Sequence, residues 1–150
     1  MLISQLHQQV KMAEAVSVPF YHYTTRESFD KIKEENVIKQ SEEDTDSCFG
    51  ASGVYLTTMP PEVGREKLIK NNFDGGLETR EQRKPHVEAF FRVWIPATEL
   101  GSRLRCIKKV DSRKDKKRDV WFYDGNLNLK QYQFSSGLVD CEDYPVRANE

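Results

Sequence analysis

The chain has 150 residues, 37% hydrophobic and 11% aromatic, long enough to bury about two-thirds of its unfolded surface in one domain without metal or disulfide support. The 23 basic and 24 acidic residues leave a net charge of -1, which excludes a global field driving the chain onto nucleic acid or a membrane. Cys48, Cys106 and Cys141 form no Cys-x-x-Cys pair and no zinc-ligand spacing, as expected of reduced thiols in a cytoplasmic protein, and no apolar run approaches bilayer length.

Leu2, Leu6, Val10 and Ala13 recur at helical spacing, so residues 1–16 read as an N-terminal helix or leader, to which no function is assigned. No basic n-region precedes an apolar h-region, so a signal peptide is not expected. The domain is expected over residues 17–144, with residues 145–150 as a loose polar tail. Val18 to Thr24, aromatic and β-branched, predicts the first strand. Thr24 with Glu27 three positions on gives a capping-box pattern, and the helix it opens runs to Asn36 with Phe29 and Ile32 on its core stripe. His22 therefore falls at a strand end just before a helix, where α/β architectures expose functional side chains. Val37-Ile38 predicts a short strand and Ser41 to Ser47 an acidic, solvated loop.

Phe49 to Pro61 is a glycine-punctuated entry into a short strand stopped by a double proline. Gly50 and Gly53 permit a tight turn or a close approach to a ligand. Val54, Leu56 and Met59 read as inward-facing, with Tyr55 and Thr57 on the opposite face. Tyr55 is either a ring for stacking on a flat ligand or the cover of an edge strand. Pro61 predicts a helix start at N1 that continues through Val63, Lys67, Leu68 and Ile69, and Asn71 to Pro85 a long loop turned at Asp74-Gly75-Gly76. Val87, Ala89, Phe91, Val93 and Ile95 share one face of the next strand, and Leu104 to Ile107 make another.

Arg103 to Arg118 is a basic run broken by Asp111 and Asp115. A solvated loop is its first reading; nucleic-acid contact is a distant second, because no aromatics interleave the charges. Val120 to Tyr123 predicts a strand turned at Asp124-Gly125-Asn126 into a hairpin whose return runs to Phe134, with a further turn at Ser135-Ser136-Gly137. Short strands in the majority, with helices in the first half, give an α+β fold with mostly antiparallel sheet.

The common catalytic fingerprints are missing: no Gly-x-Ser-x-Gly elbow, no Gly-x-Gly-x-x-Gly, no P-loop and no histidine pair at i and i+4 for metal. His22, Tyr55 and Asp119 remain, each on a different predicted strand.

Phe20-Tyr21-His22-Tyr23-Thr24 before a helix, then Phe49 to Thr57, then Asp119 to Asp124 followed by Leu127-Asn128-Leu129, resemble the three motifs of the ADP-ribosyltransferase superfamily over residues 19–134. The branch is that of the poly(ADP-ribose) polymerases and the small transferases with a His-Tyr-Asp signature. The whole chain also resembles small virus-inducible fish proteins similar to the polymerase catalytic domain. The resemblance implies an ADP-ribosyltransferase-like split antiparallel β-sandwich with flanking helices, NAD as substrate and no metal. It implies catalytic roles for His22, Tyr55 and Asp119, and NAD contacts from His22, Tyr23, Thr24, Gly53, Tyr55 and Thr57. His22 would bond a ribose hydroxyl, the Tyr23 backbone would grip the nicotinamide carboxamide, Tyr55 would stack on the nicotinamide, and Asp119 would accept from the ribose 2′-hydroxyl.

Two residues depart from the polymerase pattern: Tyr23 replaces a glycine, with bulk that narrows the nicotinamide pocket, and Asp119 replaces a glutamate. For Asp119 a salt bridge with neighbouring Arg118 is the alternative. Two functions stay open. One is a cytoplasmic mono-ADP-ribosyltransferase acting on a protein or nucleic-acid acceptor, in antiviral innate immunity by the fish likeness. The other is a degenerate module that binds NAD, ADP-ribose or a protein partner without turnover.

Overall fold

The computed structural model describes residues 16–41, 53–73, 82–106 and 119–139. The expected N-terminal helix, the acidic loop beyond Ser41, Gly50, the turn at Asp74-Gly75-Gly76, most of the basic run and the polar tail lie outside these residues.

β1 (Ser17–Thr24) has apolar and aromatic side chains on both faces, the pattern of a strand covered on both sides. It pairs antiparallel with β4 (Ala89–Pro96), which pairs with β8 (Gln133–Leu138). A second sheet has β6 (Trp121–Asp124) between β3 (Gly53–Leu56) and β5 (Leu104–Cys106), and β2 (Val37–Ile38) pairs with β7 (Leu127–Asn128). All these strand pairings are antiparallel, so the chain is a mixed α/β protein with antiparallel sheets. Tyr21 and Thr57 exchange both backbone hydrogen bonds, at 2.7 and 3.0 Å, and so join the two three-stranded sheets in the order β5-β6-β3-β1-β4-β8.

Two cores flank β1. Phe20 joins Ala89, Phe91, Val93 and Ile95 of β4, Val54 and Leu56 of β3, and Phe29 and Ile32 of α1 (Arg26–Glu35). Tyr21 and Tyr23 face the other way, onto Leu68 and Ile69 of α2 (Arg65–Asn72) and Val87. No helix among the described residues is long and apolar enough to cross a membrane.

Several local expectations shift. The α1 cap is Thr25, whose Oγ1 accepts from the Ser28 N–H at 3.1 Å, while Thr24 ends β1 as a buried strand residue. Glu27 thus sits in the first turn, where its charge complements the helix N-terminus instead of closing a capping box. The helix expected from Pro61 breaks in two at Gly64, whose φ of 93° is left-handed backbone that favours glycine: a 3₁₀ turn over Pro61–Val63, then α2. Met59 and Val87 pack in the α2 core, not with Val54 and Leu56 or on the face of β4. Gly125 does turn, at φ 80°, but it passes the chain to β2 and not back along β6, so the expected hairpin is absent. Ser135-Ser136-Gly137 is the middle of β8, paired in turn with Arg92, Phe91 and Phe90 of β4.

A polar chain closes the lower end of the second sheet. The Arg103 guanidinium donates to the Tyr123 hydroxyl at 3.3 Å, that hydroxyl lies 2.6 Å from Tyr132 Oη, and Tyr132 donates to Glu99 Oε1 at 2.9 Å. With a cation at one end and a carboxylate at the other, every hydroxyl has a fixed direction. Burial, then the bonds to Tyr123 and Glu99, raise the Tyr132 phenol above its ordinary value of 10. Tyr132→Phe is expected to cost about 1–3 kcal/mol in urea unfolding, because it leaves Tyr123 and Glu99 without their middle partner. A raised phenol contributes stability that is full below pH 10 and lost as the pH climbs above it, so the variant should also lose part of the alkaline decline.

Candidate functional site

The sheet opens next to the Tyr21–Thr57 pair. In an antiparallel ladder the next in-phase pair would be Tyr23 with Tyr55, but the His22 imidazole stands there instead, its Nδ1 3.1 Å from the Tyr55 carbonyl oxygen. Backbone groups alternate in direction along a strand, so the N–H and C=O of Tyr23 point to the same edge as those of Tyr21, toward this opening. A cavity of about 320 Å³ fills it, lined by His22, Tyr23, Thr24, Tyr55 and Thr57 together with Ser41, Phe73, Arg83 and His86. A second cavity of about 270 Å³ lies on the α1 side, with Ser28, Lys31, Glu35 and Lys39 in its lining. His22 and Thr24 line both cavities and form a wall common to the two.

A carbonyl oxygen only accepts, so the contact with Tyr55 puts the His22 proton on Nδ1 and leaves Nε2 as an acceptor. Burial lowers the imidazole below its ordinary 6.5, opposed by the bond to Tyr55, and the ring is neutral at pH 7. Tyr23 donates its hydroxyl to the Met59 carbonyl at 2.7 Å, and burial raises its phenol. Its ring lies near-parallel to Tyr21 at 6.2 Å and packs in the α2 core, while the residue also lines the first cavity. Tyr55 is half-buried and meets Phe122 edge-on at 5.5 Å and 70°. Thr57 is buried, its hydroxyl accepting from Asn71 Nδ2 and the Met59 N–H, both at 3.2 Å. Gly53 lines neither cavity; its carbonyl accepts from the Ser41 N–H at 2.8 Å and hydroxyl at 2.9 Å.

Asp119 stands apart from this group. Val120 and Phe122 pack with Tyr55 on one face of the second sheet, while Trp121 meets Phe20 on the other at 5.0 Å. The Asp119 carboxylate is on the Trp121 face: Oδ1 accepts from Trp121 Nε1 at 2.9 Å and from the Thr58 N–H at 3.3 Å, and Oδ2 accepts from the Thr58 hydroxyl. His22 is on β1 and Tyr55 on β3, and the two meet in one cleft, whereas Asp119 lies two residues before the start of β6 and not on a strand as expected. The carboxylate lines neither cavity, although Val120, its neighbour in sequence, lines the first. His22 leaves β1 on the side of Phe20, so imidazole and carboxylate flank β3 from the same face.

Phe73 and Arg83, also in the lining, fall where the sequence predicts only a loop, and His86 falls between that loop and the next predicted strand. The Arg83 guanidinium lies 4.9 Å over the Phe73 ring, and His86 meets that ring edge-on at 5.9 Å. Asn71, at the end of α2, bonds the backbone of Asp119 on both sides, accepting at 2.7 Å and donating at 2.8 Å. Among the described residues no cluster of histidine, cysteine, aspartate or glutamate could hold a metal ion.

A family model described as "HYD1 signature containing ADP-ribosyltransferase" matches residues 20–130, from within β1 to just past β7. No curated protein and no solved structure matches the chain. The matched span takes in His22, Tyr55 and Asp119 and most of the chain, and the protein belongs to this ADP-ribosyltransferase family.

Proposed function

We propose that the protein is an NAD-dependent mono-ADP-ribosyltransferase whose substrate enters where β1 and β3 part. The observation that carries this reading is the opening between Tyr23 and Tyr55, with a neutral His22 at its apex. A carboxamide carries one acceptor and one N–H donor group, the complement of the backbone N–H and C=O that Tyr23 turns toward the gap. The Tyr55 ring offers a face for the nicotinamide. His22 Nε2 accepts from a ribose hydroxyl, and Thr24 stands beside it on the common wall. The diphosphate and adenosine then extend to the α1 cavity, past Lys31 and Lys39. Thr57 and Gly53 act from behind, one by bonding α2, the other by letting β3 lie close to β6. The two three-stranded sheets are, in this reading, the halves of the split sandwich.

In the reaction the bond from ribose C1′ to the pyridinium nitrogen breaks, its electron pair leaving with neutral nicotinamide. The acceptor, a protein or nucleic-acid nucleophile, bonds C1′ and loses a proton. Positive charge grows on the ribose as the first bond stretches, and a fixed carboxylate stabilises it. Asp119 is assigned that role. Oδ1 already accepts two hydrogen bonds and Oδ2 one, so Oδ2 keeps a lone pair for the ribose 2′-hydroxyl. With this short acid alone at the third motif, transfer stops at one unit. The signature letters in the family description suit a histidine, a tyrosine and an aspartate in these parts. The exposed free thiol of Cys106 suits a cytoplasmic setting.

One observation favours a second reading, a module that binds NAD or ADP-ribose without turnover: Asp119 is already engaged by Thr58 and Trp121. Purified protein incubated with labelled NAD separates the two. Release of nicotinamide with transfer of label supports the enzyme; binding without release supports the module; absence of binding rejects both. NAD affinity should be level from neutral pH upward and fall on acidification, because an imidazolium has no acceptor for the ribose. Fold stability should fall in the same direction. The unfolded chain takes up a proton near 6.5 that the folded imidazole resists, so stability present above that value is lost as the pH drops below it. Affinity that rises in acid would contradict the assigned role of His22.

A further inference from the structure

We infer that Asn71 is a positioning residue that sets the direction of the Asp119 carboxylate, an inference that rests on the transferase reading above. Asn71 is buried, 7% exposed, near the C-terminus of α2. Its Oδ1 accepts from the Asp119 N–H at 2.7 Å and its Nδ2 donates to the Asp119 carbonyl at 2.8 Å. A carboxamide presents the same donor and acceptor as a peptide group, so Asn71 does for Asp119 what a neighbouring strand does for a residue in a ladder. The paired register of β3 with β6 ends at Leu56 and Trp121, two residues short of Asp119. The carboxamide of a helix thus continues the pairing where the sheet stops.

The same Nδ2 lies 3.2 Å from Thr57 Oγ1 and 2.9 Å from Asn72 Oδ1. One side chain therefore links α2, the end of β3 at the cleft and the entry to β6. Two hydrogen bonds, one to the N–H and one to the C=O of the same residue, fix both its position and its rotation about the chain, and so fix where its Cβ points. The carboxylate is then met by Thr58 and Trp121. Leucine and alanine offer neither bond, and aspartate lacks the donor. Anchoring α2 does not depend on Asn71: Leu68 and Ile69 are 0% and 2% exposed in the core beneath it.

The test uses the full chain with Asn71→Leu, and Asn71→Ala as a variant that adds no branch against Thr57. Amide hydrogen exchange by NMR is read at Asp119 and at Phe122, and nicotinamide release is followed against NAD concentration. At Asp119 the exchange rate is expected to rise at least tenfold while Phe122 stays unchanged. kcat is expected to drop about tenfold with KM for NAD within twofold. In an Asp119→Ala background the same substitution should remove no further activity, since Asn71 acts through that carboxylate. A purely structural role would instead add its loss in both backgrounds. Unchanged exchange at Asp119, an unchanged kcat, or additive losses would each overturn the inference. Absence of nicotinamide release from the unsubstituted protein would instead reject the transferase reading, and exchange alone would then decide whether Asn71 holds Asp119.

Discussion

Replacing Asp119 with asparagine is expected to lower nicotinamide release about a hundredfold, near 3 kcal/mol, with NAD affinity changed by less than threefold. The asymmetry follows from when the charge is needed. Bound NAD already has a cationic pyridinium, but the positive charge on the ribose ring grows only as the glycosidic bond breaks, so the carboxylate acts mainly on the transition state. Asparagine is the informative replacement, because its oxygen still accepts from Thr58 and Trp121 and the local packing is kept. Alanine would strip the Thr58 N–H and the Trp121 indole of their shared acceptor, mixing a stability loss into the rate. His22→Ala should behave differently, raising the dissociation constant for NAD as well as slowing release, since Nε2 faces ground state and transition state alike. Single-turnover release measured against a separately determined dissociation constant distinguishes the two patterns. An Asp119→Asn protein with undiminished release would make that aspartate a structural acceptor for Thr58 and Trp121, and the catalytic assignment would fall.

What was legible in the sequence was local. Aromatic crowding from Phe20 to Thr24 marks a strand, which the structure buries on both faces, and Phe29 and Ile32 mark the buried stripe of the helix that follows. The alternation around Tyr55 is likewise a property of a few consecutive residues, and it places Tyr55 opposite Val54 and Leu56 as expected. What was not legible depends on partners far along the chain. Asp124-Gly125-Asn126 has the chemistry of a hairpin, yet whether the chain returns along β6 or crosses to β2 is decided by Leu127 packing in the main core next to Ile38. Ser135-Ser136-Gly137 reads as a turn by composition, but β4 offers it an open edge, and backbone pairing needs no particular side chain. Asn71 beside Asn72 looks like a helix end in any sequence. Only the fold brings the main chain of Asp119, 48 positions later, to its carboxamide. The direction of the Asp119 side chain belongs in part to the same class, since the distant Thr58 and Asn71 fix it together with the nearby Trp121.

Gly53→Ala is expected to cost the fold about 1–3 kcal/mol in urea unfolding, against the gain of about 0.5–1 kcal/mol that removing a glycine from a strand ordinarily brings. A Cβ on Gly53 would enter the edge of the Phe122 ring and the carbonyl oxygen of Tyr123, nearer than real Cβ atoms approach either group. Neither neighbour yields easily. Tyr123 is fully buried and paired in the ladder with both β3 and β5, and Phe122 is 3% exposed. Phe122 also carries the Tyr55 ring edge-on, so moving it disturbs the candidate nicotinamide platform. In the sequence Gly53 permits a tight turn or a close approach to a ligand; in the structure β6 is what lies close to it. Lost stability and weakened NAD binding should therefore appear together. Phe122→Leu placed in the Gly53→Ala background tells the two obstacles apart, because a shorter side chain makes room at the ring and none at the carbonyl. Partial recovery of the unfolding midpoint identifies the ring as the main barrier, and no recovery identifies the strand backbone. A single Gly53→Ala protein that unfolds at the unsubstituted midpoint would show that β3 and β6 do not lie this close.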